Sequence, residues 1–307
     1  MKSFVDRTSG LALLAGRLAL ADAGLLERDR RPAAEIGCAY GTTLGCLEAM
    51  GIFWNKIKTS NPKFAQPLPF THGYANSPSS LLCIEYALRG PSATFSGERL
   101  AGIEALLFAF DQLRAGAGDI ILAGASESLT PAAYNHLLAT GQLSRSGNWE
   151  DGIVPGEGAA MLVLESSASA QQRKAKVYAE VEAVELQPSS VGQSSGLPHN
   201  AGHPEDCPTP EDTVLFVQAG QAGKSALQVF STELYCGDSL SVSPVLAATV
   251  AAGLLGGKHS LAALPFSERS SAPTAPRRAV VLHGEAGENL GMIRLATAQL
   301  GTADERR

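Results

Sequence analysis

Apolar positions along the chain follow two alternating rhythms: short unbroken runs and longer stretches with helical spacing. The first helix is expected over about 8–24, with Leu11, Leu14, Leu18 and Leu25 as its core stripe. "AEIGCAYGTTLG" (34–45) reads as a buried strand ending in a Gly-rich turn, followed by a helix carrying Leu47, Met50, Phe53 and Trp54. "SPSSLLCIEYALRG" (77–90) is expected to be a helix, with Ser77 or Ser79 as N-cap and Gly90 as C-cap. "PSATFS" is a short strand. It leads into a helix over about 98–115 that buries Leu100, Ile103, Leu106, Leu107 and Phe110.

"GDIILAGASES" is apolar throughout, as in a strand covered on both faces. "DGIVPGEGAAMLVLE" (151–165) places a Gly-rich loop before another buried strand. "SASAQQRKAK" is a polar helical turn, and "VYAEVEAVEL" alternates like a strand with one solvated face. Residues 188–212 form a long surface connection, and "TVLFVQAG" is a strand. "VSPVLAATVAAGLLGGK" (242–258) is an Ala-rich buried helix, and "RRAVVLHGEAGENLGMIRLATA" (277–298) is a closing hairpin. Strands alternating with helices predict a mainly parallel sheet covered by helices. The strand–helix–strand runs before "GASES" and before the last hairpin suit two related halves of one domain over 1–307, divided as 1–190 and 191–307.

Composition narrows the class. With 307 residues, 45% of them hydrophobic, the chain can bury a sizeable core. A net charge of −6 speaks against nucleic acid. The local basic clusters "ERDRR" and "NKIKTSNPK" read as solvated surface. Five scattered cysteines without CxxC spacing predict neither a zinc site nor a disulfide framework, and Cys38 and Cys46 read as small core residues. No metal or cofactor is expected. Arg17 and Asp22 interrupt the apolar N-terminal run, so it reads as a helix of the fold rather than a signal peptide. No run is long enough to span a membrane, and a cytoplasmic protein is expected.

The chemistry is conspicuous for what it lacks. "GPSATFSGERLAGIEAL" is a strand-to-helix junction of the kind that presents a nucleophile, yet Glu98, Arg99 and Leu100 stand at the expected helix start. "GASES" resembles a nucleophile elbow, but Ser128 replaces its last glycine, which argues against Ser126 as a nucleophile. "GIVPGEG" leads into a strand and lacks the Gly-Lys-Ser/Thr ending of a phosphate loop. His199 and His203 lie in an acidic, Pro-rich connection and read as exposed.

Five segments in order carry a resemblance to the β-ketoacyl synthases: "GPSATFSGERLAGIEAL", "DIILAGASES", "DGIVPGEGAAMLVLE" with "RKAKVYAEV", "STELYCGD" and "HGEAGENLGMI". The resemblance runs from near residue 6 to about 296. It implies a thiolase-like α/β fold in α-β-α-β-α layers, built of two pseudo-repeated halves. It begins at the family's first long helix, so the first strand is expected to be missing.

In that family a cysteine stands nine residues after the Gly of the GPS motif, where this chain has Arg99. The two catalytic histidines align with Gly220 and Asp238, the lysine of Ser-Thr-Lys with Glu233, and the gating phenylalanine with Glu285. A thiolate attacks thioesters and a guanidinium does not. Arg99 is expected to pair with Asp238 or Glu233 and close the old pocket.

The resemblance thus implies no catalytic residue in this chain and a role like that of a chain-length factor in type II polyketide or aryl-polyene systems. Such a subunit forms a heterodimer with a catalytic ketosynthase and shapes the tunnel for the growing chain. The acyl carrier protein would dock through the partner. Met50, Phe53 and Trp54 are the candidate tunnel or interface residues, with Tyr134 in addition. Two other readings stay open. One is an acyl-thioester hydrolase or decarboxylase using Cys236 or Ser96. The other is a self-associating acyl-binding protein.

Overall fold

The computed structural model describes residues 5–26, 35–97, 99–147, 151–187, 213–216, 228–230, 238–258, 276–283 and 290–298. The first sheet contains β1 (Ile36–Thr42), β2 (Ser92–Ser96), β3 (Ile120–Glu127) and β4 (Gly158–Glu165), in the order β2-β1-β3-β4. β1 runs parallel to both β2 and β3, and β4 is antiparallel to β3. Every residue of β1 and β3 is buried, which is what their unbroken apolar runs predict. Parallel strands of one sheet need crossovers. Between β1 and β2 the crossover is made by α2 (Leu47–Thr59), α3 (Pro67–Thr71) and α4 (Ser77–Tyr86), and between β2 and β3 by α5 (Ala101–Arg114).

The second sheet has the order β5-β9-β8-β6-β7, built from β5 (Glu180–Gln187), β6 (Thr213–Phe216), β7 (Gln228–Phe230), β8 (Arg278–His283) and β9 (Leu290–Ala296). β8 and β9 form the expected antiparallel closing hairpin. The short helices α6 (Pro131–Ala139) and α7 (Ser167–Gln172) flank β4 in sequence, and α8 (Ser243–Leu255) precedes the final hairpin.

Helices α5 and α8 lie between the two sheets. Their Ile103, Leu106, Val245, Ala248 and Ala251 form one core with Val281, Ile293 and Leu295 of the second sheet. α8 is apolar all round because it is covered all round. Helices α1 (Arg7–Asp22) and α4 cover the opposite face of the first sheet, around Cys38, Tyr40 and Leu122. No helix among the described residues is long and apolar enough to cross a membrane.

Three local expectations are corrected. α1 buries Thr8, Ser9, Ala12, Gly16 and Leu20, while Leu14 and Leu18 face outward at 57% and 62% exposure. Close approach decides the face: a Cβ on Gly16 would lie 2.6 Å from Cδ2 of Leu82, so α4 can pack only on the small-residue side. The helix after β2 begins at Ala101 rather than at Glu98, which leaves Arg99 in the turn before it. The C-cap of α4 is Ala87, in the left-handed conformation (φ 54°), and not Gly90. Gly90 serves instead where two backbones meet, because a Cβ there would stand 2.7 Å from the Gly37 nitrogen.

The candidate site at the head of helix α5

The site is assembled from three chain segments. β2 delivers the first, as Gly97 N–H donates to the Thr42 carbonyl (3.3 Å) and the chain turns through Arg99 into α5. The second is the segment from Asp238 to Val242, laid across the first turn of α5. Gly102 permits that contact: an added Cβ would lie 2.0 Å from the Ser241 carbonyl oxygen. The third is the end of β8, which supplies His283.

Asp238 is held before it meets any partner side chain. Its backbone N–H donates to the Val154 carbonyl (2.7 Å), and its carbonyl accepts from Gly156 N–H (2.8 Å). The "GIVPGEG" loop is therefore a backbone clamp on this segment. Carboxylate oxygen Oδ1 accepts from Leu240 N–H at 2.8 Å. Leu240 has φ 53°, a conformation that is costly for a bulky residue, and the carboxylate bond helps to stabilise it. Oδ2 accepts from Nη2 of Arg99 in an ion pair whose side chains are 18% and 2% exposed. The second terminal nitrogen, Nη1, is buried without a hydrogen-bond partner among the described residues.

Sequence reasoning gave His283 no role, although it ends an apolar strand run and opens the quoted segment "HGEAGENLGMI". The imidazole is 2% exposed. Burial, and then the charge of Arg99, push its pKa down to about 3, so it is neutral near pH 7. The signal that could have found it is a lone histidine ending a strand whose other inner residues are aliphatic.

Glu127 is the second residue missed, because attention within "GASES" fell on Ser126. Its Oε1 accepts from Ser241 Oγ (2.6 Å), Thr42 Oγ1 (3.1 Å) and Thr43 N–H, and its Oε2 accepts from Leu44 N–H (3.2 Å). Burial raises its pKa against the pull of these donors. The carboxylate thereby ties β3, the turn into α2 and the Asp238 segment into one unit. Ser126 itself is sealed, bonding Tyr40 Oη (2.7 Å) and the Thr8 carbonyl (3.0 Å).

Among the described residues, this arrangement at the head of α5 holds charge but includes no cysteine, and its serines lie in hydrogen bonds with Glu127 and the Asp238 segment. Cys46 is buried beside Ser9 (3.7 Å), and its thiol is pushed up to about 12 by burial and then by the charge of Asp6, so it stays protonated. Cys83, lowered to about 7 by the thiol of Cys38, belongs to α4 in the outer layer. Ser96 is exposed at the end of β2. No cluster of His, Cys, Asp and Glu able to hold a metal occurs among the described residues. Gly220, Glu233, Glu285, Cys236, His199 and His203 lie outside the described residues.

The tunnel candidates sit together on α2 and its neighbours. Phe53 meets Trp54 edge-on (5.8 Å between centroids) and Phe70 at 5.0 Å, and Phe70 meets Tyr74 at 5.1 Å. Met50 lies under the end of α3, where a Cβ on Gly73 would come within 2.9 Å of its Cε. Trp54 is 51% exposed, and Tyr134 on α6 is 43% exposed, so neither is a core residue of this chain.

Comparison with known proteins places this architecture. The model of the β-ketoacyl synthase N-terminal domain matches residues 1–170. A Streptomyces rimosus protein named oxytetracycline polyketide β-ketoacyl synthase 1 is 31% identical over 192 residues, 57% of this chain and 45% of that protein. The 3-oxoacyl-[acyl-carrier-protein] synthase 2 of Vibrio cholerae is 32% identical over 181 residues, 55% of this chain and 44% of that protein. The matches thus span about half the length of these curated relatives.

Among solved structures, a β-ketoacyl synthase from Burkholderia phymatum superposes with a TM-score of 0.75 at 18% identity, covering 96% of this chain and 83% of that one. The ishigamide ketosynthase/chain length factor does so with a TM-score of 0.72 at 19% identity, over 96% and 83%. The fold is the mixed α/β, thiolase-like fold of ketosynthases. The match over more than half of its residues shows that the chain belongs to the β-ketoacyl synthase family.

Proposed function

We propose that this chain is a non-catalytic subunit of the chain-length-factor type. It would pair with an active ketosynthase and line the tunnel for a growing polyketide or polyene chain. The observation that carries this reading is the buried Arg99–Asp238 ion pair. It stands where the resemblance puts a nucleophilic cysteine and a catalytic histidine. A guanidinium bonded to a carboxylate can neither attack a thioester nor relay a proton near neutral pH.

Two further features support pairing. Among the described residues β2 is an edge strand, bonded on one side only within its sheet, and it carries neither proline nor charge. On α2, the helix that follows the turn fixed by Glu127, Trp54 stands exposed against the half-buried Phe53, where a partner's tunnel could use them as a floor. Overlap of a growing chain with a rigid indole is repulsive, so such a floor would set length. The carrier protein is expected to deliver substrate to the catalytic partner.

The test is co-expression with a type II polyketide ketosynthase that carries an intact Cys-His-His set. A stable complex is expected, in which defined products require both subunits. Thioester turnover by this chain alone, or identical products from the ketosynthase without it, would refute the proposal.

A further inference from the structure

The surface of α2 and α3 has an unusual charge. Between Glu48 and Glu85 the sequence holds no carboxylate, in a chain with 30 Asp and Glu. The charges there are those of Lys56, Lys58 and Lys63, all exposed. Beside them Ile52, Trp54, Phe64, Leu68, Phe70 and Tyr74 are exposed too, Phe64 at 69%. The ring contacts from Trp54 to Tyr74 make this one continuous shelf rather than scattered residues.

We propose that this shelf docks an unlike protein subunit, apolar at its centre and rimmed by carboxylates, and that its charge selects against a second copy of this chain. The inference rests on the pairing proposed above and names what chooses the partner. Aromatic anchors with few rotamers supply interface energy, and lysines are depleted from interface centres and tolerated at rims. A two-fold contact brings the same patch of both copies together. Here it would set Lys56, Lys58 and Lys63 against their own copies, with no carboxylate between Glu48 at the start of α2 and Glu85 to relieve them. Like charges across an interface are costly, whereas an acidic rim turns the same lysines into attraction. The outward leucines of α1, Leu14 and Leu18, lie on a different element and serve as a control.

The experiment measures the affinity of the co-expressed ketosynthase for the wild-type chain and its variants by titration calorimetry, with sedimentation of each chain alone. The wild-type chain alone should sediment as a monomer at micromolar concentration. Trp54→Ala should weaken the complex by about 30-fold, as loss of an aromatic anchor does. Lys56→Glu with Lys58→Glu should weaken it by about 10-fold, more at low salt than at high. Leu14→Ser should leave it unchanged, and matching melting temperatures would show that every variant is folded. A complex that forms but ignores the Trp54 and lysine variants overturns this inference and leaves the proposed function standing. A wild-type homodimer broken by Trp54→Ala overturns it as well. Failure of the ketosynthase to bind the wild-type chain overturns both.

Discussion

At the head of α5, Arg99, Asp238 and His283 bury a cation, an anion and a neutral imidazole together. On α2 and α3, aromatic and aliphatic side chains stand in water beside lysines. The usual distribution puts charge outside and aromatics inside. Both regions invert it. At the head of α5 a backbone clamp and a left-handed turn position Asp238 against Arg99, while Nη1 of Arg99 is buried without a hydrogen-bond partner among the described residues. The shelf has the composition of an interface and nothing of this chain over it among the described residues. The contrast separates two regions of one fold: at the head of α5 charges are buried against each other, and on α2 and α3 an apolar face stays open, where the proposed pairing would form.

Four predictions test this contrast, from the largest expected effect to the smallest. Arg99→Ala removes the ion-pair partner of the buried Asp238 carboxylate and should cost about 3–5 kcal/mol in denaturant unfolding. A variant as stable as wild type would show that the pocket is not closed by this pair.

The second prediction concerns acid. The pKa of His283 is depressed in the folded state to about 3, so the unfolded chain binds the extra proton. The stability contributed by the neutral imidazole is therefore present above its ordinary pKa and lost as pH falls from about 6.5 toward 3. Between about pH 7 and pH 4 the loss should be about 3 kcal/mol. His283→Gln should flatten that slope, and an unchanged slope would assign the acid sensitivity elsewhere.

Gly102→Ala places a methyl group against the Ser241 carbonyl. It should cost about 1–3 kcal/mol by overpacking, read as a lowered melting temperature. Trp54→Ala sits on the other side of the comparison. Its exposed indole should matter by less than about 1 kcal/mol to this subunit's own stability. In the reconstituted pair it should lengthen the products, as seen by mass spectrometry. A large loss of stability with unchanged products would make Trp54 a structural residue.

Much of this was legible in the sequence. The unbroken apolar run of β3 read as a covered strand and is one, and the junction after "GPS" drew attention to Arg99, which pairs with Asp238. Other features depended on distance. Leucine spacing in α1 identified an apolar stripe, but the helix has a second face of small residues, and only the close approach of Leu82 to Gly16 decides which one is buried. His283 and Glu127 each look ordinary in their own strand. They become part of a site because β8 and β3 end near segments distant in sequence, and no local pattern records that. The shelf was half legible. "NKIKTSNPK" was visible as a basic cluster, but periodicity alone could not place the neighbouring aromatics on the outside.

The central claim is that this chain carries no acyl-accepting nucleophile while its partner does. Intact-protein mass spectrometry of the purified complex, after incubation with an acyl-N-acetylcysteamine thioester, tests it most directly. The account predicts one acyl mass added to the ketosynthase and none to this chain. An acyl adduct on this chain that survives mutation of the partner's cysteine would contradict it.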